Sequence, residues 1–355
     1  MDKYKIDSHK LIYHPQRVGN WLKGKDTPPI YLEISPSGGC NHRCVYCALD
    51  FMRYQPRFLD TAILLSQVKN MSKAGVKSIM YAGEGEPFLH PDMAKIAIAT
   101  KQAGIDVAFT TNGVLFTSEI AQACLGSTNW IKVSINGATP GTYSKIHGSS
   151  PADYHKVMDN LTYAARLRRK KKYSCALGMQ VLLLPENRHE VMMLAEKAKK
   201  TGMDYLVVKP YSQHPLSHTQ AYKNIKYSDY LPLAQELKKF NDKKFNVVFR
   251  LHAMEKWDEA RLPYKHCYAL AFWSYIDSGG DVWACSAYLT DKRFLLGNIY
   301  KDSFEAICAS TRRKRVLAWA AKQFDVHKCR INCRMDEVNR YLWELKNPGS
   351  HVNFI

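Results

Sequence analysis

The sequence predicts an α/β fold, a partial (β/α)6 barrel of six parallel strands with helices outside it, followed by a small C-terminal domain. Three observations support this fold class. Six short apolar segments alternate with helical segments over residues 30–245. These segments are apolar almost throughout, which is typical of parallel strands that are buried on both faces. The last third of the chain instead carries a second set of cysteines, so we expect a separate cysteine-rich domain there.

The first strand is predicted at residues 30–34, where a polar extension over residues 1–29 ends. A turn rich in Gly and Ser then leads to three cysteines. A helix follows, with Asp60 or Thr61 as its N-cap and Gly75 at its end. We therefore expect the cysteines to lie at the carboxyl end of the first strand.

The same alternation continues through five more strands, predicted at residues 76–81, 105–109, 130–135, 175–184 and 204–209. Helices are predicted to begin at Ser118 and to span residues 152–169, and Asn187 is predicted to cap a helix that ends at Lys200. Residues 247–252 are predicted to form a strand that leads out of the barrel. The predicted domains are therefore 1–29, 30–245 and 246–355.

The chain has 355 residues and a formal net charge of +19 at pH 7, which favours an anionic partner and leaves nucleic acid open. No apolar segment approaches the roughly 18 to 20 residues that span a bilayer, and the charged N-terminus lacks the apolar region of a signal peptide. We therefore expect a cytoplasmic protein without a membrane partner. In that compartment its ten cysteines are expected to be metal ligands or free thiols.

Three of these cysteines, Cys40, Cys44 and Cys47, lie within eight residues. Soft thiolates at this spacing can fold around one metal centre. Three ligands on an iron–sulfur cube leave one iron free for a further ligand, whereas structural zinc closes its shell with four protein ligands. The alternative to the cube is a zinc site that takes His42 as its fourth ligand.

A second motif, Ala-Gly-Glu-Gly-Glu-Pro at residues 82–87, follows the second predicted strand. Glycine at positions 83 and 85 allows close approach of the backbone and a positive φ. Glu86 offers a carboxylate to a cationic group. The segment alone could be an ordinary loop, but its position one strand–helix unit after the cysteines indicates a ligand site.

The cysteine spacing, with Tyr46 as an aromatic residue before the last cysteine, resembles the signature of the radical S-adenosylmethionine (SAM) enzymes. Residues 82–87 resemble the Gly-Gly-Glu-Pro motif of that family, with Glu84 in place of its first glycine. The resemblance implies a [4Fe-4S] cluster whose free iron binds SAM, and a reductase such as flavodoxin or ferredoxin that supplies one electron. SAM then yields a radical that removes a hydrogen atom from the substrate. The implied SAM contacts are Tyr46, Gly83, Gly85, Glu86, Pro87, Ser134 and Asn136.

For Ser134 and Asn136, a role as caps at the end of a strand is the alternative.

The C-terminal third contains four cysteines that could bind a second metal centre: Cys267, Cys285, Cys329 and Cys333. Their spacing, with Gly280 between the first two, resembles the twitch form of the SPASM extension over residues 264–335. The resemblance implies one auxiliary [4Fe-4S] cluster, and a structural zinc site is the alternative. Three further cysteines are predicted to be buried in the core: Cys124, Cys175 and Cys308.

Three hypotheses for the function follow. The first is an oxidoreductase that abstracts hydrogen from a polar small molecule, a sugar, a cyclitol or a phosphate- or nucleotide-linked sugar. A cluster closed by four cysteines could accept an electron, which favours a ketone product over epimerisation. The second is maturation of a ribosomal peptide, which we expect less because about thirty residues precede the first strand. The third is a non-catalytic iron–sulfur or zinc protein that binds nucleic acid.

Candidate substrate contacts lie at or beyond the predicted strand ends. Lys209, Arg250 and His252 could contact an anionic substrate. Arg250 and His252 are also candidate catalytic residues. Cys308 is a third candidate, as a hydrogen donor, if it faces the cavity.

Overall fold

The computed structural model describes residues 4–259 and 261–354, and ten strands in these residues form one sheet. The strands are β1 Tyr31–Ile34, β2 Ser78–Tyr81, β3 Asp106–Thr111, β4 Trp130–Ser134, β5 Ala176–Leu182, β6 Tyr205–Lys209, β7 Asn246–Phe249, β8 Trp273–Ile276, β9 Asp281–Trp283 and β10 Leu295–Asn298. Their order across the sheet is β10-β9-β8-β1-β2-β3-β4-β5-β6-β7.

Strands β1 to β7 run parallel, and each pairs with its neighbour in sequence. Helical segments connect them, because the end of one parallel strand must be carried back to the start of the next. The predicted partial (β/α)6 barrel is therefore confirmed. Two parallel pairings go beyond the prediction, since β7 continues the series after β6 and β8 pairs with the free edge of β1.

The described residues contain twelve α-helices: α1 Pro15–Leu22, α2 Thr61–Lys73, α3 Met93–Gln102, α4 Ser118–Cys124, α5 Pro140–His147, α6 Pro151–Lys171, α7 Val191–Thr201, α8 Leu231–Leu237, α9 Leu251–Glu259, α10 Phe304–Ala309, α11 Thr311–Ala320 and α12 Asp336–Lys346. Contacts join α2 to α3, α3 to α4, α4 to α6 and α6 to α7, so these helices form one layer on the sheet. Within the described part of the chain, none of them is long and apolar enough to cross a bilayer.

Helix α2 begins and ends as its sequence predicts. The Asp60 carboxylate accepts a hydrogen bond from the backbone N–H of Ile63 at 2.8 Å, which satisfies a donor that the helix itself cannot pair. Gly75 follows the helix with a φ of +87°, a conformation that favours glycine. Local capping therefore sets the length of the segment between the cysteine loop and β2.

Three local predictions are wrong or incomplete. Asn187 directly precedes a 3-10 turn, Arg188–Glu190, that leads into α7 at Val191, but its side chain does not cap this turn, because its Oδ1 accepts the N–H of Leu184. His252 is not in a strand, because β7 ends at Phe249 and α9 follows. Helix α5 was not predicted at all, although it starts with a proline behind a threonine N-cap.

The C-terminal segment continues the barrel sheet. Strands β8 and β9 form a hairpin, and β10 pairs antiparallel with β9. Asp277 fixes the hairpin turn by accepting hydrogen bonds from the N–H of Gly279 and the indole of Trp283, each at 2.8 Å. Because β8 lies against β1, this segment is held beside the strand that leads into the first cysteine loop. The domain limits stated above remain predictions.

Four residues of the N-terminal extension line the cavity inside the barrel: Tyr4, Lys5, Ile6 and Lys10. The ring of Tyr4 contacts that of Tyr205, with centroids 5.1 Å apart. Asp7 accepts a hydrogen bond from Arg250 Nε at 3.0 Å. His9 stacks on Tyr341 of α12, with centroids 4.6 Å apart. The extension therefore passes from the β6–β7 edge of the barrel to the C-terminal helix.

Candidate active site

The three cysteines of the first loop stand at the carboxyl end of β1. Cys40, Cys44 and Cys47 are free thiols that line one cavity. Burial, and then the nearby Glu86 carboxylate, raises the pKa of Cys40 to about 11. Burial also raises the pKa of Cys44 above its usual range. Thiols in such a setting deprotonate when a metal centre binds them, because the metal stabilises the thiolate.

The two glycines of the second motif let it pack directly on the cysteine loop. A Cβ at Gly85 would lie 2.2 Å from the carbonyl oxygen of Gly39 and 2.4 Å from that of Ser37. Gly83 has a φ of +115°, and a Cβ there would lie 2.4 Å from the hydroxyl of Tyr275. Glycine at both positions is therefore needed for steric reasons. The motif and the cysteine loop form one packed unit.

Glu86 is buried and faces the cavity. Its carboxylate accepts hydrogen bonds from the Thr111 hydroxyl at 2.6 Å and from the N–H groups of Asn112 and Phe88 at 2.8 and 3.1 Å. Burial raises the pKa of Glu86 to about 7, although these hydrogen bonds lower it. A cationic group against this carboxylate would offset its desolvation, so the site suits an ammonium ligand. Pro87, which follows it, does not line the cavity.

Glu84, which occupies the first-glycine position of the motif, connects it to the C-terminal segment. Its carboxylate accepts hydrogen bonds from the N–H of Ser278 at 3.0 Å and from the Ser278 hydroxyl. Arg57 lies 3.8 Å away and forms an ion pair with it. Glu84, where the motif would have glycine, thus has a structural role, because it joins the loop at residues 82–87 to the β8–β9 hairpin.

Two histidines surround Cys44. The ligand atoms of His42, Cys44 and His147 lie within 4.8 Å of one another. The Nε2 atom of His42 lies 3.3 Å from the Asp153 carboxylate. His147 comes from α5, so the helix that the sequence analysis missed contributes directly to the cysteine loop.

The hydrogen bonds of His147 determine which of its nitrogens carries the proton. Its Nε2 accepts the backbone N–H of Asn136 at 3.1 Å. A backbone N–H can only donate, so Nε2 is unprotonated and the proton lies on Nδ1. That Nδ1 is 3.6 Å from the sulfur of Cys44, to which it donates. Burial, followed by the charge of His42, keeps the pKa of His147 well below its usual value, so the ring is neutral.

The two predicted contacts at the end of β4 have different positions. Ser134 lines the cavity, and its hydroxyl accepts a hydrogen bond from Gln180 at 2.8 Å. Asn136 is buried outside the cavity lining, where its Oδ1 accepts the N–H of Leu182 at 2.7 Å. Its side chain therefore serves the backbone and His147, while Ser134 is available to a ligand. Tyr46 also lines the cavity, with its ring edge against His147.

The four C-terminal cysteines meet around a small enclosed space. Cys267, Cys285, Cys329 and Cys333 line it together. N–H donors of Asn339, Ala287 and Met335 lie 3.4 Å from the sulfurs of Cys267, Cys285 and Cys333, respectively. Hydrogen bonds of this kind stabilise thiolates. Four sulfurs that converge on one space, three of them with an N–H donor, therefore fit a cluster that is bound by four protein ligands.

The three remaining cysteines are buried, as predicted. Cys308 and Cys124 lie outside both cavities, so Cys308 is not placed to act on a substrate. Cys175 is different, because it lines the far end of the large cavity although it is only 2% exposed. Asp204 and Arg168, which form an ion pair, line the same end of the cavity.

The cavity has a volume of about 1100 Å³ and runs from the cysteine loop into the barrel. Its described wall carries eight Lys or Arg side chains and three Asp or Glu side chains. Lys209 and Arg250 are among these cations, as the candidate substrate contacts predicted. His252 is not: it is exposed on α9, with its ring 3.5 Å from Glu255.

Sequence reasoning missed several residues at this site. Lys132 on β4 and Arg334 after the last cysteine both line the cavity. Arg334 forms an ion pair with Glu33 on β1, across more than three hundred residues of chain. The alternation of β4 could have indicated Lys132, because it lies two positions before Ser134 and therefore on the same face of the strand. No local signal indicated Arg334 or His147.

Two family models match the chain. That of the radical SAM superfamily matches residues 34–198. That of an iron–sulfur cluster-binding domain, SPASM, matches residues 267–334. The first match includes the cysteine loop and Glu86, and the second includes the four converging cysteines.

Curated relatives match parts of the chain. The GTP 3',8-cyclase of Microcystis aeruginosa is 35% identical over 33% of this chain, and mycofactocin maturase MftC of Mycobacterium tuberculosis is 24% identical over 81% of this chain and 72% of its own length. The chain spans 37% to 55% of the length of the first cyclases that it matches.

Among solved structures, Streptococcus suis SuiB bound to precursor peptide SuiA superposes with a TM-score of 0.66 at 16% identity. The superposition covers 90% of this chain and 74% of SuiB. At that identity the likeness shows the fold alone. The same protein has also been solved with S-adenosylmethionine.

The two matched domains imply a [4Fe-4S] cluster with SAM, and an auxiliary [4Fe-4S] cluster. The residues present are compatible with these groups: the buried Glu86 carboxylate, the three free cysteines of the first loop and the four C-terminal cysteines that line one space. From the matches and the site that they cover, we conclude that the chain belongs to the radical SAM superfamily and carries a C-terminal iron–sulfur cluster-binding domain.

Proposed function

We propose that this chain is a peptide-modifying radical SAM enzyme, which abstracts a hydrogen atom from a peptide bound in the barrel. The observation that carries the proposal is the cavity, which runs from the cysteine loop into the barrel and has a volume of about 1100 Å³. The cluster and SAM would take the part of the cavity at the cysteine loop, and the cavity continues past them to Cys175 and Asp204, which leaves room for a substrate inside the barrel. A relative named as a maturase aligns with 81% of the chain. These comparisons favour the peptide alternative over the sugar oxidoreductase expected first.

In this proposal Cys40, Cys44 and Cys47 hold the first cluster, and Glu86 binds the amino group of SAM. When bound, SAM and the reduced cluster supply a 5'-deoxyadenosyl radical. The protein binds and orients the substrate beneath SAM, with Ser134 available for hydrogen bonding from β4. His147 keeps its proton on Nδ1 and thereby holds Cys44 in place. A flavodoxin or ferredoxin would supply the electron.

The four C-terminal cysteines give the enzyme a second metal centre close to the same barrel. Its cluster, when bound, supplies a site that can take up an electron. Loss of a hydrogen atom, an electron and a proton from the substrate would leave a product two mass units lighter, together with 5'-deoxyadenosine. Net oxidation is therefore the reaction outcome that we propose.

A second candidate function is oxidation of a phosphorylated small molecule, such as a nucleotide-linked sugar, to a ketone. The observation that favours it is the excess of cations on the cavity wall. Several curated relatives are named as cyclases of GTP, itself a phosphorylated compound. Both candidates share the same radical chemistry and differ in the substrate.

One experiment distinguishes the two candidates. An extract of the source organism is divided and treated with protease, with phosphatase or with neither, and each portion is added to reconstituted enzyme with SAM and a reductant. Substrate-dependent formation of 5'-deoxyadenosine is measured, with Cys44→Ala as the inactive control.

We expect protease to abolish the stimulation and phosphatase to preserve it. Loss with phosphatase alone would replace the peptide proposal by the second candidate. In heavy water, one deuterium gained at an inverted carbon, in place of a loss of two mass units, would show epimerisation.

A further inference from the structure

The inner wall of the barrel carries more positive charge than the protein neutralises. Among the described residues that line the cavity, three carboxylates oppose eight cations. Glu86 belongs to the predicted SAM site, Asp204 pairs with Arg168, and Glu33 pairs with Arg334. The other lining cations therefore have little compensation from carboxylates of the wall itself.

Lys132 and Lys209 are the clearest cases. In the described part of the chain neither has a carboxylate within ion-pair distance, and the Lys132 ammonium lies over the face of the Trp130 ring, 5.2 Å from its centroid. Arg250 stands beyond the end of β7 and shares one hydrogen bond with Asp7. The three cations come from β4, from β6 and from the residue after β7, and all line one cavity.

Burial and repulsion between these cations lower the pKa values of Lys132 and Lys209. Burial, followed by the charges of Arg250, Arg334 and Lys10, lowers the pKa of Lys132 to about 8. Burial and then the charge of Lys132 lower the pKa of Lys209 well below its usual value. Cations that repel one another in a partly buried site destabilise the protein alone and attract an anion.

We propose that Lys132, Lys209 and Arg250 form a binding site for an oxyanion group of the substrate, a carboxylate or a phosphate, on the inner wall of the barrel. The inference rests on the proposed function only in assigning that group to the substrate. An oxyanion can accept hydrogen bonds from all three side chains, because it offers several lone pairs in a small volume.

The strand positions of the three residues indicate where the oxyanion would lie. Lys132 and Ser134 lie on the same face of β4, two positions apart, which corresponds to about 6 to 7 Å along the strand. Lys132 lies deeper in the barrel than Ser134, whereas Lys209 ends β6 and Arg250 follows the end of β7, so the oxyanion would be held on the β6–β7 side of the cavity, between the level of Lys132 and the carboxyl ends of the strands.

Anion binding can be tested without turnover. Thermal unfolding of the anaerobically reconstituted protein is measured with pyrophosphate, with tetraglutamate and with uncharged tetraglutamine, at constant ionic strength. We expect the wild type to unfold at a higher temperature with at least one of the two anions and to show no response to tetraglutamine, because a ligand that binds the folded state stabilises it.

Two substitutions separate a specific site from general attraction. Lys132→Met should unfold at a higher temperature than the wild type without anion, because it relieves repulsion, and should lose the shift on adding anion. Lys95→Met removes the same charge from an exposed position and should retain the full shift. If Lys132→Met does not fold, Lys209→Gln takes its place.

A response to pyrophosphate alone assigns the site to a phosphate, and a response to tetraglutamate alone assigns it to a carboxylate. The proposal is overturned if neither anion shifts the wild type, or if Lys95→Met loses as much of the shift as Lys132→Met. Because no product is measured, this result is independent of the extract experiment. A site that binds anions in an enzyme that does not act on peptides would refute only the proposed function.

Discussion

Gly85→Ala should dislodge the cysteine loop, because residue 85 packs against the backbone of that loop. The new Cβ would lie 2.2 Å from the carbonyl oxygen of Gly39, whereas ordinary contact begins at about 3.4 Å. One of the two backbones must therefore move by about 1.2 Å. The new Cβ would also lie 2.4 Å from the oxygen of Ser37, so two backbone oxygens must both move to relieve the clash.

The expected cost can be approximated from similar substitutions. Overpacking in well-packed regions costs about 1 to 3 kcal/mol, and two rigid backbone oxygens place this case near the upper end. At an unfolding entropy of about 2.1 cal/mol/K per residue, ~3 kcal/mol lowers the melting temperature of a chain of this length by ~4 °C. Displacement of Cys40 should reduce cluster binding as well.

The assay is thermal unfolding, together with iron content after anaerobic reconstitution. Gly19→Ala is the matched control, because a Cβ there meets no atom within 4 Å and the residue lies inside α1. That control should be unchanged or stabilised by up to about 1 kcal/mol. If Gly85→Ala binds iron like the wild type and unfolds at the same temperature, the steric argument for this motif is refuted.

Three further predictions concern the clusters and the α5 connection. Reconstituted protein should contain about eight iron atoms, from two [4Fe-4S] clusters with four irons each. Cys285→Ala should halve this number, whereas Cys308→Ser should not. Four iron atoms with one zinc in the wild type would instead indicate a structural zinc site. His147→Phe removes the hydrogen bond to the sulfur of Cys44, so the midpoint potential of the first cluster should become more negative. The potential is measured by a redox titration with EPR detection. An unchanged potential would contradict the assignment of His147 as the donor. Burial alone would raise the pKa of Glu190, but its carboxylate accepts hydrogen bonds from the N–H of Ala138 and from the hydroxyls of Thr139 and Thr142, and together these lower the pKa below its usual value. The ionised Glu190 therefore stabilises the fold fully above the unfolded pKa of about 4.3, and this stabilisation is lost as the pH falls through the lower folded pKa. The free energy of unfolding of Glu190→Gln should depend less on pH in that acidic range than that of the wild type. Parallel profiles of the two proteins would exclude this contribution.

Local sequence patterns determined the parts of this protein that depend on short stretches of chain. The six parallel strands follow from apolar segments, and the start of α2 follows from the Asp60 cap. The cysteine spacing and Glu86 are equally local, since one loop can carry three thiolates and one turn can present a carboxylate. These features could be predicted because the interactions that produce them join residues close together in the sequence.

The tertiary structure alone decided which distant residues share the site. His147 reaches Cys44 from α5, and Lys132, Lys209 and Arg250 meet in one cavity because β4, β6 and β7 curve around it. The tertiary structure also leaves four of the predicted site residues outside the cavity lining: Pro87, Asn136, His252 and Cys308. Strand order and curvature depend on pairings between distant segments, and such pairings leave no pattern within any single segment.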